Sequence, residues 1–179
     1  MIRTKAKASA QELEQIRAPL VHSLIGVGAL VVPPAVLASA LRVPYTGWTF
    51  AIKYYIAMAV LVVALRLLRR SVSWRLQAIS ILWIIASSGL AAMLSYGTAS
   101  SASPLLVIFV LFAYVFFGVS GGVVSLLIAM GMYAGVGWQI AAGRVAIAVD
   151  LDAYQLAPTT WLAQICGFGV FMGLTVAAF

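Results

Sequence analysis

The chain has 179 residues, of which 64% are hydrophobic and only 8% charged, and its mean hydropathy is +1.10. Soluble globular domains carry about 25% charged residues, so this composition excludes a water-soluble fold and points to an all-α, polytopic integral membrane helical bundle. The net charge of +7 reads as Lys and Arg gathered at membrane-helix ends, where they set topology and meet anionic lipid heads, and not as a nucleic-acid-binding surface.

Residues 1–18 form an N-terminal tail. Glu12 and Glu14 interrupt it, and the apolar run that follows is too long for the core of a secretory signal peptide. Residues 9–17 suit a short helix on the membrane surface or a flexible tail equally well.

Residues 19–179 form one transmembrane domain with six apolar segments. They run from about Pro19 to Leu41, Phe50 to Leu68, Leu76 to Tyr96, Pro104 to Phe117, Val123 to Ala142 and Thr160 to Phe179. About 20 residues are needed to cross ~30 Å of hydrocarbon at 1.5 Å each. The fourth segment falls short of that, and is expected to begin earlier, near Ser100, or to thin the bilayer. Pro33-Pro34 removes two backbone donors within the first segment and is expected to kink or break it. Val43-Pro44-Tyr45-Thr46-Gly47-Trp48 combines turn formers with interfacial aromatics. Gly118-Val-Ser-Gly-Gly122 reads as a tight turn that makes the fourth and fifth helices antiparallel neighbours.

Orientation follows from the distribution of basic residues. With the N-terminus in the cytoplasm, Arg3, Lys5, Lys7, Arg17, Arg66, Arg69, Arg70 and Arg75 lie inside, against Arg42, Lys53 and Arg144 outside. Six spans then return the C-terminus to the cytoplasm. The apolar stop at Phe179 is expected to mark a cut at or within the last helix of a longer protein that continues into cytoplasmic output domains.

Two of the four acidic residues, Asp150 and Asp152, fall in the last outward loop, Asp150-Leu-Asp-Ala-Tyr154-Gln-Leu-Ala-Pro158-Thr-Thr-Trp161. With Tyr154, Trp161, Arg42, Trp48, Lys53 and Arg144 they make a candidate ligand-binding mouth on the outer face. Ordinary loop electrostatics and snorkelling of Lys53 to the headgroups account for the same charges. His22, the single histidine, has no second histidine to share a haem, and reads as structural. Cys166, the single cysteine, excludes an intrachain disulfide and a cysteine metal site. Gly131 and Gly135 form a small-residue pair that permits close helix approach. Trp83 is expected to pack or line a cavity, and Ser87, Ser88, Gln139 and Gln164 to bond across helices. The sequence has no Walker A motif, no zinc-type His/Glu pair and no serine–histidine–acid set. It has no membrane-embedded carboxylate either, which argues against proton or cation coupling. No enzyme activity and no cofactor are expected of these residues.

Four stretches carry a family resemblance. They are Tyr45-Thr-Gly-Trp48-Thr, Leu67-Leu-Arg-Arg70-Ser-Val-Ser-Trp-Arg75-Leu, Gly89-Leu-Ala-Ala-Met-Leu-Ser-Tyr-Gly97, and Val149-Asp150-Leu-Asp-Ala-Tyr154-Gln-Leu-Ala-Pro158-Thr-Thr-Trp161. In this order the chain resembles, from about residue 17 onward, the N-terminal six-helix membrane region of proteobacterial PAS-containing sensor histidine kinases and related signalling proteins. It departs from that pattern where a basic pair would follow the fourth helix and where a histidine would stand at Lys53-Tyr54-Tyr55. The resemblance implies a sensory input module of a two-component system in the bacterial inner membrane. Its expected partners are the lipid bilayer, a small-molecule ligand and a second copy of the chain in a homodimer. A small transporter or substrate-binding membrane subunit, and an accessory or scaffold subunit of a membrane complex, are the alternatives.

Overall fold

The computed structural model describes residues 2–97, Ser100, 102–145, Ile147, Pro158, 160–162 and Ile165, and among these the side chains of 2–14 and of Tyr45 are left aside. The described elements are all helical: α1 (Ile2–Ala40), α2 (Val43–Thr46), α3 (Phe50–Leu67), α4 (Trp74–Tyr96) and α5 (Ala102–Ala141). Four helices among the described residues are long and apolar enough to cross a membrane: Gln15–Ala40 within α1, α3, α4 and α5.

Local chemistry sets the helix ends. Thr49 and Ser73 occupy extended N-cap positions, and their hydroxyls accept the backbone N–H groups of Ile52 and Leu76. These bonds cover donors that the first helical turn leaves without an intrahelical partner. Gly97, with φ 58°, ends α4. The Gln77 amide, fully buried, closes the α3–α4 connection by donating from Nε2 to the carbonyls of Arg69 (2.8 Å) and Val72 (2.7 Å).

The expected turn at Gly118 is present and is tighter than the sequence suggested. Gly118 alone leaves the helical region (φ 74°, ψ −163°), and helix resumes at residue 119. That conformation is essentially reserved for glycine. Helix α5 therefore folds back on itself as an antiparallel hairpin with arms 102–117 and 119–141. The hydroxyls of Ser103 and Tyr133, each fifteen residues from Gly118, hydrogen-bond to one another. In an unbroken helix they would stand about 45 Å apart. Gly121 makes the reversal possible: a Cβ there would lie 2.6 Å from the Ala113 carbonyl oxygen and 2.5 Å from Phe117 Cβ.

Of the kink or break expected at the proline pair, the break does not occur: helix α1 continues through both Pro33 and Pro34. Their missing donors free only the carbonyls of Ala29 and Leu30, and both Leu30 and Pro34 face outward, clear of the core. Residues 9–17 likewise belong to the continuous α1 helix.

Packing follows chain order, with α1 on α3, α3 on α4, α4 on α5, and a smaller contact between α1 and α4. In lipid no hydrophobic driving force pulls apolar helices together, so close approach and dispersion carry the association. Small residues provide it. Gly26 faces the Arg66 guanidinium and Gly28 faces Val62, as in an antiparallel α1–α3 pair, while Gly89 receives Leu105 and Leu106 of α5. The first arm of α5 presents Leu105, Leu106, Phe109, Phe112, Ala113 and Phe116 to the core at the three- and four-residue intervals of one helix face. Trp83 is 62% exposed and points away from the core. Among the described residues it is not packed within the bundle, where a packed or cavity-lining position was expected. The positions where an added Cβ at Gly131 or Gly135 would sit have no atom within 4 Å, so the small-residue pair makes no close helix contact among the described residues.

Candidate functional site: a buried polar cluster at one end of the bundle

The contacts sort the basic residues to two ends. Arg17 reaches the Gly118 turn and Arg66 lies against Gly26, and Arg69, Arg70 and Arg75 flank the α3–α4 connection. Arg42, Lys53 and Arg144 belong to the opposite end, where α1 and α4 finish and α3 begins.

At that second end the structure builds a polar cluster. Arg42 follows α1 and is the N-cap of α2. Its carbonyl accepts from the Thr46 N–H at 2.9 Å and from the Thr46 hydroxyl at 3.1 Å. These bonds hold its backbone while its side chain turns inward to only 6% exposure. The guanidinium carbon lies 5.6 Å from the centre of the Tyr96 ring. A desolvated cation–π contact of this kind contributes about 2 kcal/mol. The Tyr96 hydroxyl shares a 2.9 Å hydrogen bond with Thr49 Oγ1. Next to it, Ser95 Oγ accepts the Ala51 N–H at 3.1 Å. The last turn of α4 thus caps the first turn of α3, and three separate elements meet around Tyr96. Tyr54, Tyr55 and Ile147 pack against the small apolar group formed by Ala51, Ala91 and Tyr96. Ile147 Cδ1 also lies over Gly97, 2.5 Å from where a Cβ would sit.

The structure places five of the eight sequence-derived site residues. Arg42 is built into the cluster. Trp48, Lys53, Arg144 and Trp161 are exposed, and Lys53, one turn into α3, is placed as a snorkelling residue would be. Asp150, Asp152 and Tyr154 lie outside the described residues. Thr49, Ser95 and Tyr96 were not singled out as site residues. Their only signal was that Ser95-Tyr96-Gly97 and Thr49 fall within the stretches that carry the family resemblance. Ser87 bonds back to the carbonyls of Trp83 and Ile84 in its own helix and not across helices as expected. Gln164 lies outside the described residues. His22 is half-buried, and among the described residues no group of three metal-ligating side chains forms.

Chemically, the cluster offers a cation in low-dielectric surroundings, aromatic faces and hydroxyls. Arginine's planar fork matches carboxylate and phosphate oxygens in a bidentate manner. The N-terminus of α3 adds partial positive charge at the same end. Deeper in the bundle, a cavity of about 70 Å³ is lined only by apolar side chains and Gly28. No family model matches the chain, and neither the curated proteins nor the solved structures include a significant match.

Proposed function

We propose that this chain is the membrane-embedded sensory input module of a bacterial signal-transduction protein, and that it receives a small anionic or polar ligand at the Arg42 end of the bundle. The observation that carries the reading is the inward-turned Arg42 on Tyr96, which joins the ends of α1, α3 and α4 in one polar cluster. A ligand that pulls on this guanidinium acts on three helices at once. Signalling requires a ligand to favour one bundle arrangement over another, not merely to bind. The separation of basic residues to two ends supports an inner-membrane topology of six spans, with both termini and the Arg17–Arg66 end in the cytoplasm and the Arg42 end outside. The two arms of α5 then count as the fourth and fifth spans. A homodimer and a relay through the last helix complete the proposal.

The test fuses the full chain ahead of an autophosphorylating kinase module and assays phosphorylation in membranes exposed to fractionated culture medium. The account expects a fraction-dependent change in the wild type that is lost in Arg42→Gln and in the double Asp150→Asn/Asp152→Asn variant, with membrane insertion intact. A response that survives both changes places the signal elsewhere. Saturable uptake of a solute by vesicles holding the chain alone would favour the transporter reading instead.

A further inference from the structure

The cavity in the bundle interior is distinct from the polar cluster. Leu24, Ile25, Gly28 and Val32 of α1 form one wall, Val62 and Leu65 of α3 a second, and Ile81, Ile84 and Ile85 of α4 a third, while Phe112 from the first arm of α5 adds a fourth side and the space stays partly open. An occupant would touch α1, α3, α4 and the first arm of α5, but not its second arm. No lining side chain carries a hydrogen-bonding group. Water needs two to four polar partners to stay in a cavity, and apolar cavities stay dry. The volume of about 70 Å³ is about half that of the ~150 Å³ apolar cavity known to take up benzene or xenon. That leaves room for one xenon atom or a molecule of two or three heavy atoms, and too little for a lipid or a ring.

Gly28 keeps the space open. A Cβ there would meet only Val62 Cγ1, at 3.6 Å, an ordinary contact, so a larger side chain fits the backbone and fills the void. We infer that this cavity is a binding site for a small, uncharged, nonpolar molecule dissolved in the bilayer, of the size class of the diatomic gases. Such molecules concentrate in hydrocarbon and reach the bundle laterally, without passing the polar end. This site does not depend on the reading of Arg42.

The test equilibrates the full chain in lipid nanodiscs with xenon and follows the ¹²⁹Xe chemical shift against xenon pressure. The expected result is a saturable component beyond that of empty nanodiscs. Gly28→Leu, which fills the void, should weaken it at least tenfold, and Gly28→Ala, a smaller change that keeps the helix, should weaken it partly. Leu30→Ala, on the outward face of α1, should leave it unchanged. Absence of a saturable component in the wild type, whether the void is too tight or a lipid tail fills it, overturns the inference. So does equal binding by the wild type and a folded Gly28→Ala or Gly28→Leu chain. Xenon binding alongside a chain that answers no external ligand would leave this site standing and remove the sensory role of Arg42.

Discussion

The guanidinium of Arg42 lies 5.6 Å from the centre of the Tyr96 ring, although 54 positions separate the two residues in sequence. This pairing contributes to holding a cation that is almost fully buried at one end of the bundle. Tyr96→Phe keeps the ring and loses the hydroxyl that bonds to Thr49, and is expected to cost about 1 kcal/mol. Tyr96→Leu removes both and is expected to cost about 3 kcal/mol. A double-mutant cycle with Arg42→Met, read by reversible unfolding in mixed micelles, should give a coupling energy of about 1–2 kcal/mol. Additive single effects would show that the two side chains are independent.

Ser95 should matter through α3 and not through its own helix. Its hydroxyl accepts the Ala51 N–H, a first-turn donor with no intrahelical partner. Ser95→Ala leaves that buried donor unsatisfied, at about 1–3 kcal/mol. Hydrogen exchange should therefore accelerate at the Ala51 amide while amides in the middle of α4 stay protected. Unchanged protection at Ala51 would refute the cap.

The hairpin makes a geometric prediction. With Cys166 replaced by Ser, the pair Ser103→Cys/Tyr133→Cys should be bridged by a short bifunctional thiol reagent, because the parent hydroxyls are in contact. Gly121→Leu should abolish the cross-link, since even a Cβ would meet the Ala113 carbonyl oxygen at 2.6 Å. Gly118→Ala should cost about 1–3 kcal/mol through its backbone alone. Failure to cross-link a well-folded pair would mean that α5 does not fold back.

Gln77 separates local from global stability. Its Nε2 covers the carbonyls of Arg69 and Val72, while its buried Oε1 accepts no hydrogen bond among the described residues. Gln77→Leu removes both the useful donor and the unsatisfied acceptor, so global stability should change by less than about 1 kcal/mol. Trypsin cleavage after Arg69 and Arg70 should nevertheless rise several-fold, because the connection loses its clamp. Cleavage at the wild-type rate would argue against that role.

The apolar helices and the Gly118 turn were legible because long apolar runs and glycine clusters speak locally. Gly118 stands where only glycine suits the backbone, while the N-caps Thr49 and Ser73 and the helix stop at Gly97 were not read from the sequence. What was not legible concerns which face of each helix turns inward. Lipid and protein interior are both apolar, so the 3.6-residue alternation that identifies a core face in water is largely lost. Trp83 therefore read as an inner residue and is an outer one. Pro33 and Pro34 read as a kink or break, and helix α1 continues through them unbroken. Of the candidate site, Arg42 was found by its charge. Tyr96, which it meets, and Thr49, which bonds Tyr96, were missed because the contacts join residues 47 or more positions apart, and no local pattern encodes them.

The most direct test of the account is native mass spectrometry of the full chain, purified in mild detergent and exposed to small-molecule extracts of culture medium. The account predicts a stoichiometric anionic or polar adduct on the wild type that is lost in Arg42→Gln and retained in Lys53→Gln, whose side chain is exposed. A wild-type chain that takes up no such adduct, or an adduct indifferent to Arg42→Gln, would contradict the claim that the Arg42 end is where this protein receives its signal.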